Sequence, residues 1–324
     1  MHAVGWRLGL RFGLFWVAGL FTAHATAARL TLAFADTPAF APMHVAEARG
    51  YFAAEGLDLA ILHCVNGRRC LQYLTDGEAH LAAVADLPMM LAAHAGKSFD
   101  IVATMASSSR ENNLVVRSDR SIRTPDDLKG KRIGFVKGTS AHYFTDTFLI
   151  FHGLDADTVV MVPMEADKAV AQLVAGEVDA AGLYAPHGSQ ALAALGTRGA
   201  ALPSPKLYTV SFSIAARPEV ADAELRKLLK ATQRAIDFIT AEPQKARVLL
   251  AERLKLDVRA LSKMLDDYDL RLTLSQSLLT TLEAESRWAQ REGMVPAGVL
   301  PDYLSRMRVA PLQSLDRRAA AIVK

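Results

Sequence analysis

The sequence predicts an α/β protein of two lobes, each built on a mainly parallel sheet. Three observations predict it. The first is an internal repeat: Leu74-x-x-Gly77-Glu78-x-x-x-Ala82 recurs as Leu173-x-x-Gly176-Glu177-x-x-x-Ala181, and Gly56-Leu57-Asp58 recurs as Gly153-Leu154-Asp155. The offsets nearly agree, so each half reads strand, loop, helix, Gly-Leu-Asp, strand, helix, Gly-Glu, strand, Pro-containing loop. The second is the stretch 131–153, which reads strand, glycine turn, helix. The third is a change of character after Arg217-Pro218, where amphipathic helices take over. Repeated βαβ units argue for a parallel sheet in each half. Ligands in such sheets bind beyond the carboxyl ends of the strands. That rule selects the loops 36–42 and 86–88 in the first half, and 138–143 and 184–187 in the second.

In chain order, a leader comes first. Arg7 and Arg11 make a basic start, 12–21 is an apolar run, and Ala25-Thr26-Ala27 fits a small-x-small cleavage rule. The run is too short for the about 20 residues that a spanning helix needs. A secretory signal peptide cut after Ala27 is expected, leaving an exported mature chain of residues 28–324. Strands are expected at 30–34, 57–62, 81–85 and 100–105, with helices at 43–55, 70–75 and 89–94 between them. Strands at 113–117 and 207–216 sit where the chain would cross between lobes. In the second half, 132–136 is a β-prone run, and Gly138 permits a turn of unusual backbone geometry. Thr139 and Ser140 are good helix caps. Phe144, Thr147, Phe148 and Phe151 then fall on one helical face. Helices at 223–240, 244–254, 258–267 and 278–292 complete the chain.

The formal net charge is +3, and two of the arginines lie in the leader, so the mature chain is near neutral. That balance argues against a nucleic-acid partner. The two cysteines, Cys64 and Cys70, are expected as a disulfide in an exported protein, with two buried thiols as the alternative. His63 adjoins Cys64, but no second His/Cys cluster stands at a zinc spacing, and neither metal nor cofactor is expected.

The motifs Val45-Ala46-Glu47-Ala48-Arg49-Gly50-Tyr51-Phe52-Ala53-Ala54-Glu55-Gly56-Leu57, Thr124-Pro125-Asp126-Asp127-Leu128-Lys129-Gly130-Lys131-Arg132-Ile133-Gly134, Gly138-Thr139-Ser140-Ala141-His142 and Ala175-Gly176-Glu177-Val178-Asp179-Ala180-Ala181 resemble the periplasmic substrate-binding proteins of ABC importers for nitrate, sulfonates and taurine. That superfamily also includes binders of a thiamine pyrimidine precursor. The resemblance implies a type II periplasmic binding fold: lobe one at 28–115 and 215–324, lobe two at 116–214, and a two-segment hinge. It implies a periplasmic monomer that closes on a small-molecule ligand and docks on a membrane permease with its ATPase. The same flytrap could instead serve a sensor or adaptor.

Within that frame Thr139 and Ser140, with the N–H groups of Ala141 and His142, are candidates to hold sulfonate, carboxylate or phosphate oxygens. Thr37 lies in the facing loop of lobe one. Ser107 and Ser108 follow a strand and offer further donors. Asp86 would repel an anion and attract an amine or ring N–H, or else cap a turn. Phe40, Tyr143 and Tyr184 are candidates to sandwich an apolar body, and His187 follows Pro186 in a Pro-containing loop where the family often has a tryptophan. No arginine is placed in the cleft, which disfavours a dianion held by guanidinium forks. No G-x-S-x-G, H-E-x-x-H or P-loop occurs. Two cysteines cannot supply the cysteine-rich motif of the fungal pyrimidine synthases. A binding protein of an ABC importer for a small anionic or zwitterionic solute is expected, with a heteroaromatic ligand as the alternative, and not an enzyme.

Overall fold

The computed structural model describes residues 1–2, 29–155 and 157–322; the apolar run of the leader and its cleavage point at Ala27 lie outside the described residues. The strands in chain order are β1 (Leu30–Ala35), β2 (Leu59–Cys64), β3 (Leu81–Ala85), β4 (Asp100–Ser108), β5 (Asn112–Arg117) and β6 (Arg132–Phe135). They continue as β7 (Val160–Pro163), β8 (Ala180–Tyr184), β9 (Gly199–Ala201), β10 (Val210–Ala216), β11 (Asp269–Ser275) and β12 (Ala320–Ala321). One sheet runs β12-β11-β4-β10-β3-β1-β2 and the other β7-β6-β8-β5-β9. The central strands β1, β3 and β8 are near-continuous apolar runs, as strands covered on both faces must be.

The internal repeat has a structural meaning. β1 pairs in parallel with β2 and β3, and β6 pairs in parallel with β7 and β8, so each sheet carries the same three-strand order. Each trio is then extended by an antiparallel strand: β10 beside β3, and β5 beside β8. The strands taken from the sequence as crossings are thus full members of one sheet each. The chain changes sheets at 109–111 and again at 202–209, because the residues beyond those segments already hydrogen-bond into a ladder.

Other local expectations shift for identifiable reasons. The helix expected at 43–55 breaks at Gly50, whose φ of +65° ends Ala41–Ala48 and starts Tyr51–Ala54. The helix expected from Cys70 begins earlier, at Gly67–Thr75, because the Asn66 side chain accepts the Arg69 N–H at 3.0 Å. The loop expected at 86–88 is the first turn of the helix Asp86–His94; Pro88 is tolerated there because that turn has no N–H partner to lose. β11 was not anticipated, since its alternating charges suit an exposed strand face. Cys64, the last residue of β2, is joined to Cys70 in the first turn of the following helix, with Cα atoms 5.6 Å apart.

The helix Ser140–Phe151 is buried on two sides. It lies on the second sheet and also against the helix Gln276–Arg291, so one hydrophobic core runs from the first sheet into one face of the second. Its seat on the sheet depends on Gly182: a Cβ there would stand 1.8 Å from Thr145 Oγ1 and 3.2 Å from the Ala141 carbonyl oxygen. Thr145 is fully buried, its hydroxyl donating to that carbonyl at 2.6 Å. Gly182→Ala is therefore expected to lower stability by about 1–3 kcal/mol through overpacking, read as a shift in the urea midpoint. An unchanged midpoint would remove the close approach as a constraint.

Candidate functional site

A cavity of about 50 Å³ lies between the two sheets. By the same measure one water needs about 10–15 Å³, so it has room for a ligand of a handful of heavy atoms. All four loops at the carboxyl ends of the parallel strands reach it: Thr37 and Phe40 after β1, Ala85 and Pro88 after β3, Thr139 and Ser140 after β6, Tyr184 and Ala185 at the end of β8. Asn66, Gly67 and Arg68 add the start of the helix Gly67–Thr75, Glu111 enters from the first crossing, and Phe212 from β10.

Two helices begin at this cavity. Thr139 adopts the extended cap conformation, but its hydroxyl donates to the Val136 carbonyl at 2.7 Å instead of capping the helix. Ser140 Oγ donates to Asn112 Oδ1 at 3.1 Å. Both hydroxyls are thereby oriented. The His142 N–H bonds to the Thr139 carbonyl at 2.9 Å, so it is not free for a ligand as the sequence suggested. The N–H groups of Ser140 and Ala141 have no acceptor among the described residues, and the positive end of the helix dipole opens there. The helix Gly67–Thr75 presents a second start: Asn66 takes the Arg69 N–H, and the Gly67 and Arg68 N–H groups have no acceptor among the described residues. Arg68 stands at the rim and donates from Nη1 to the Lys137 carbonyl at 3.5 Å, reaching from one lobe to the other. The sequence had placed no arginine in the cleft; Arg68 lies in the Cys64–Cys70 loop, and only the fold turns that loop inward.

An acid also lines the cavity. Glu111 is 4% exposed, and burial pushes its carboxyl up to about 8 although the Tyr268 hydroxyl donates to Oε2. Burial thus favours its neutral acid over the carboxylate. Beside it the Tyr184 hydroxyl is buried with no hydrogen-bond partner among the described residues. Burial pushes that phenol up to about 12; Glu111 adds to the shift and Arg68 opposes it, so the hydroxyl lies in the field of both. Phe40 and Phe212 meet edge to face at 5.6 Å and form the apolar wall.

The remaining candidates lie outside the cavity. Asp86 is fully buried, accepting the Leu87 N–H at 2.9 Å, the Ser211 N–H at 2.8 Å and the Tyr208 hydroxyl. Glu285 lies 2.8 Å from the same hydroxyl. One phenol proton cannot serve two carboxylates, so one acid keeps its own proton. Burial raises Asp86 to about 6 and Glu285 well above its ordinary range, which assigns that proton to Glu285. Asp86 is thus a structural anchor for the return crossing.

His142 and Tyr143 face the seam between the lobes. The His142 ring stacks on Phe135 at 4.3 Å and meets Trp288 edge-on at 4.9 Å; Tyr143 packs against Tyr208 at 4.8 Å and Trp288 at 5.2 Å. Trp288 Nε1 donates to Asp146 Oδ2 at 3.1 Å. His142 is 3.6 Å from the same oxygen, but burial holds it down to about 4, so this is no ion pair at neutral pH. Ala141 is buried behind the helix start. Ser107 belongs to the β4–β10 ladder, Ser108 Oγ accepts the Arg110 N–H at 3.0 Å, and His187 packs on the back of Tyr184 at 5.0 Å.

A family model described as NMT1/THI5 like matches residues 37–246. The chain is 28% identical over 205 residues to a protein of Escherichia coli named for binding aliphatic sulfonates, covering 62% of this chain and 63% of that relative, less than two thirds of its length. It is 25% identical over 232 residues, 65% of this chain and 66% of the relative, to a 4-amino-5-hydroxymethyl-2-methylpyrimidine phosphate synthase of Saccharomyces cerevisiae. The crystal structure of the periplasmic aliphatic sulphonate binding protein of Escherichia coli superposes with a TM-score of 0.76 at 19% identity, covering 87% of this chain and 98% of that one. Its fold, two α/β lobes of the type II periplasmic binding class, is the fold seen here.

Glu111 gives the site a pH signature. Its folded-state value near 8 stands above its ordinary 4.5, so the native state binds more protons than the unfolded chain across that window. Ligand-free stability is expected to fall as pH rises through it, by up to about 1.4 kcal/mol per pH unit from this group. Asp86 and Glu285 act in the same direction, so the readout is the difference between wild type and Glu111→Gln, whose melting temperature should fall less steeply with pH. Parallel curves would mean that Glu111 is ionised in the native state.

Proposed function

The chain belongs to the NMT1/THI5-like family, and on that premise we propose that it is the solute-binding component of an ABC-type importer, capturing a small solute through its anionic head. One observation carries the reading: two helix starts and the Arg68 guanidinium converge on a small cavity at the carboxyl ends of both parallel trios. Uncapped N–H groups at the positive end of a helix dipole hold anions without a full charge on the protein. The relative named for aliphatic sulfonates supports the same head-group chemistry. The seam between the lobes, where Trp288 Nε1 of one donates to Asp146 Oδ2 of the other, supports a cleft whose two walls meet around the ligand.

Binding without turnover is supported by how the polar groups are used. Ser140 Oγ is committed to Asn112 and the His142 ring is turned onto Phe135, so the two form no nucleophile–base pair. Both cysteines are tied in the disulfide. A permease with its ATPase is the partner that this role requires, and the periplasm its place, reached by cleavage after Ala27. A second reading, a heteroaromatic such as a thiamine pyrimidine precursor, is favoured by the Phe40–Phe212 wall beside Tyr184.

In a thermal-shift screen of the mature chain against ethanesulfonate, 2-aminoethanesulfonate, nitrate, sulfate and aminopyrimidines, at least one anion should raise the melting temperature; a ligand at 100 times its Kd adds about 2.7 kcal/mol. Arg68→Ala should weaken that anion about 10- to 100-fold in calorimetry, the worth of a charge-assisted hydrogen bond. Shifts from aminopyrimidines alone would replace the first reading by the second. Export predicts that the mature protein purified from a periplasmic fraction begins at Ala28, which intact mass measures; retention of the leader would refute the cleavage site.

A further inference from the structure

Hydroxyls of Thr37, Thr139, Ser140 and Tyr184 line the cavity, and two of them have already spent their protons on the protein. Thr139 donates to the Val136 carbonyl at 2.7 Å, and Ser140 donates to Asn112 Oδ1 at 3.1 Å. A hydroxyl has one proton and two lone pairs. Thr139 and Ser140 therefore have only lone pairs left to offer a ligand. Turning either proton inward would strip the buried Val136 carbonyl, or the buried Asn112 Oδ1, of the one hydrogen bond that it accepts among the described residues. An unpaired buried acceptor is costly. Donors stand beside these acceptors. The N–H groups of Ser140 and Ala141 have no acceptor among the described residues, and the buried Tyr184 hydroxyl has no partner there.

Ser140 thus presents a backbone donor and a side-chain acceptor on one residue. A fully ionised head has oxygen lone pairs only: it satisfies the N–H and meets the hydroxyl oxygen lone pair to lone pair. A monoprotonated oxyanion satisfies both. Resting on the anionic-head reading above, we propose that Asn112 is a positioning residue that makes the Ser140 hydroxyl an acceptor, and that the site thereby selects a head keeping a hydrogen of its own, a phosphate monoester or phosphonate monoanion, over a fully ionised anion of the same shape. The charged oxygens take the helix-start N–H groups and Arg68, and the P–O–H group donates to Ser140 Oγ. Asn112 does not line the cavity; it acts through the direction of one hydrogen bond. It opens β5, where its backbone pairs with Tyr184 of β8, so its side chain reaches Ser140 from a fixed strand.

Calorimetric titration with methyl phosphate and methyl sulfate, a pair matched in shape, tests this at about pH 5. There methyl phosphate is mostly a monoanion with one hydrogen, its second pKa being about 6, and methyl sulfate is a monoanion with none. Their equal net charge makes Arg68 and Glu111, the charged groups lining the cavity, act alike on both. Methyl phosphate should bind about tenfold tighter. In Ser140→Ala it should lose most of that factor while methyl sulfate is unchanged. In Asn112→Ala the released Ser140 proton should turn to the ligand, so methyl sulfate should gain and the ratio fall to one or below; a structural role alone would weaken both probes and leave the ratio. Should Asn112→Ala fail to give a cooperative melt, the wild-type ratio and Ser140→Ala still decide. Equal or tighter binding of methyl sulfate by the wild type, or equal losses of both probes in Ser140→Ala, overturns this selection while leaving an anion site intact. If neither probe binds at millimolar concentration, the anionic-head reading itself falls, and this inference with it.

Discussion

The arrangement depends first on a single phenol. Tyr208 lies in the segment that returns the chain from the second sheet to the first, and its hydroxyl is held between the buried carboxyls of Asp86 and Glu285. Burying two acids together costs several kcal/mol unless one keeps its proton and the other is fully hydrogen-bonded. Both conditions are met: Glu285 holds a proton, and Asp86 accepts two backbone N–H groups as well as the phenol. The cluster ties three elements of lobe one to the crossing. It also gives Tyr143, which comes from the other lobe, a fixed ring to pack against.

From that anchored crossing the seam follows. The helix Ser140–Phe151 serves two masters: its start lines the cavity, and its middle packs under Trp288. A change at the cavity end is thus mechanically continuous with the interface between the lobes. The ligand can bias closure only through contacts that differ between open and closed states. Arg68, which bridges to the Lys137 carbonyl across the rim, is placed to make such a contact.

Much of this was legible in the sequence because it follows from periodicity. The repeat gave the two parallel trios, and the rule for strand ends gave four loops, all of which reach the cavity: with Thr37 and Phe40, with Pro88, with Thr139 and Ser140, and with Tyr184. What was not legible concerns residues whose roles arise from a second neighbour. A single helical face was read through Phe144, Thr147, Phe148 and Phe151, yet Phe151 is exposed, and His142 and Thr145 are buried because a lobe packs on either side. Asp86 read as a loop carboxylate because its partners, Tyr208 and Glu285, lie far away in sequence. Glu111 gave one signal, an acid at a strand end between Arg110 and Asn112, but nothing local says that it will be buried.

The Cys64–Cys70 bond closes the short loop that carries Asn66, Gly67 and Arg68 to the cavity. Reducing compartments keep such thiols apart, and oxidising ones join them. For an exported chain, the lobe-one wall of the cavity is therefore completed only after translocation. The cavity wall is thereby tied to the redox state of its surroundings: with the thiols reduced, the loop that carries Arg68 loses its covalent link to the end of β2.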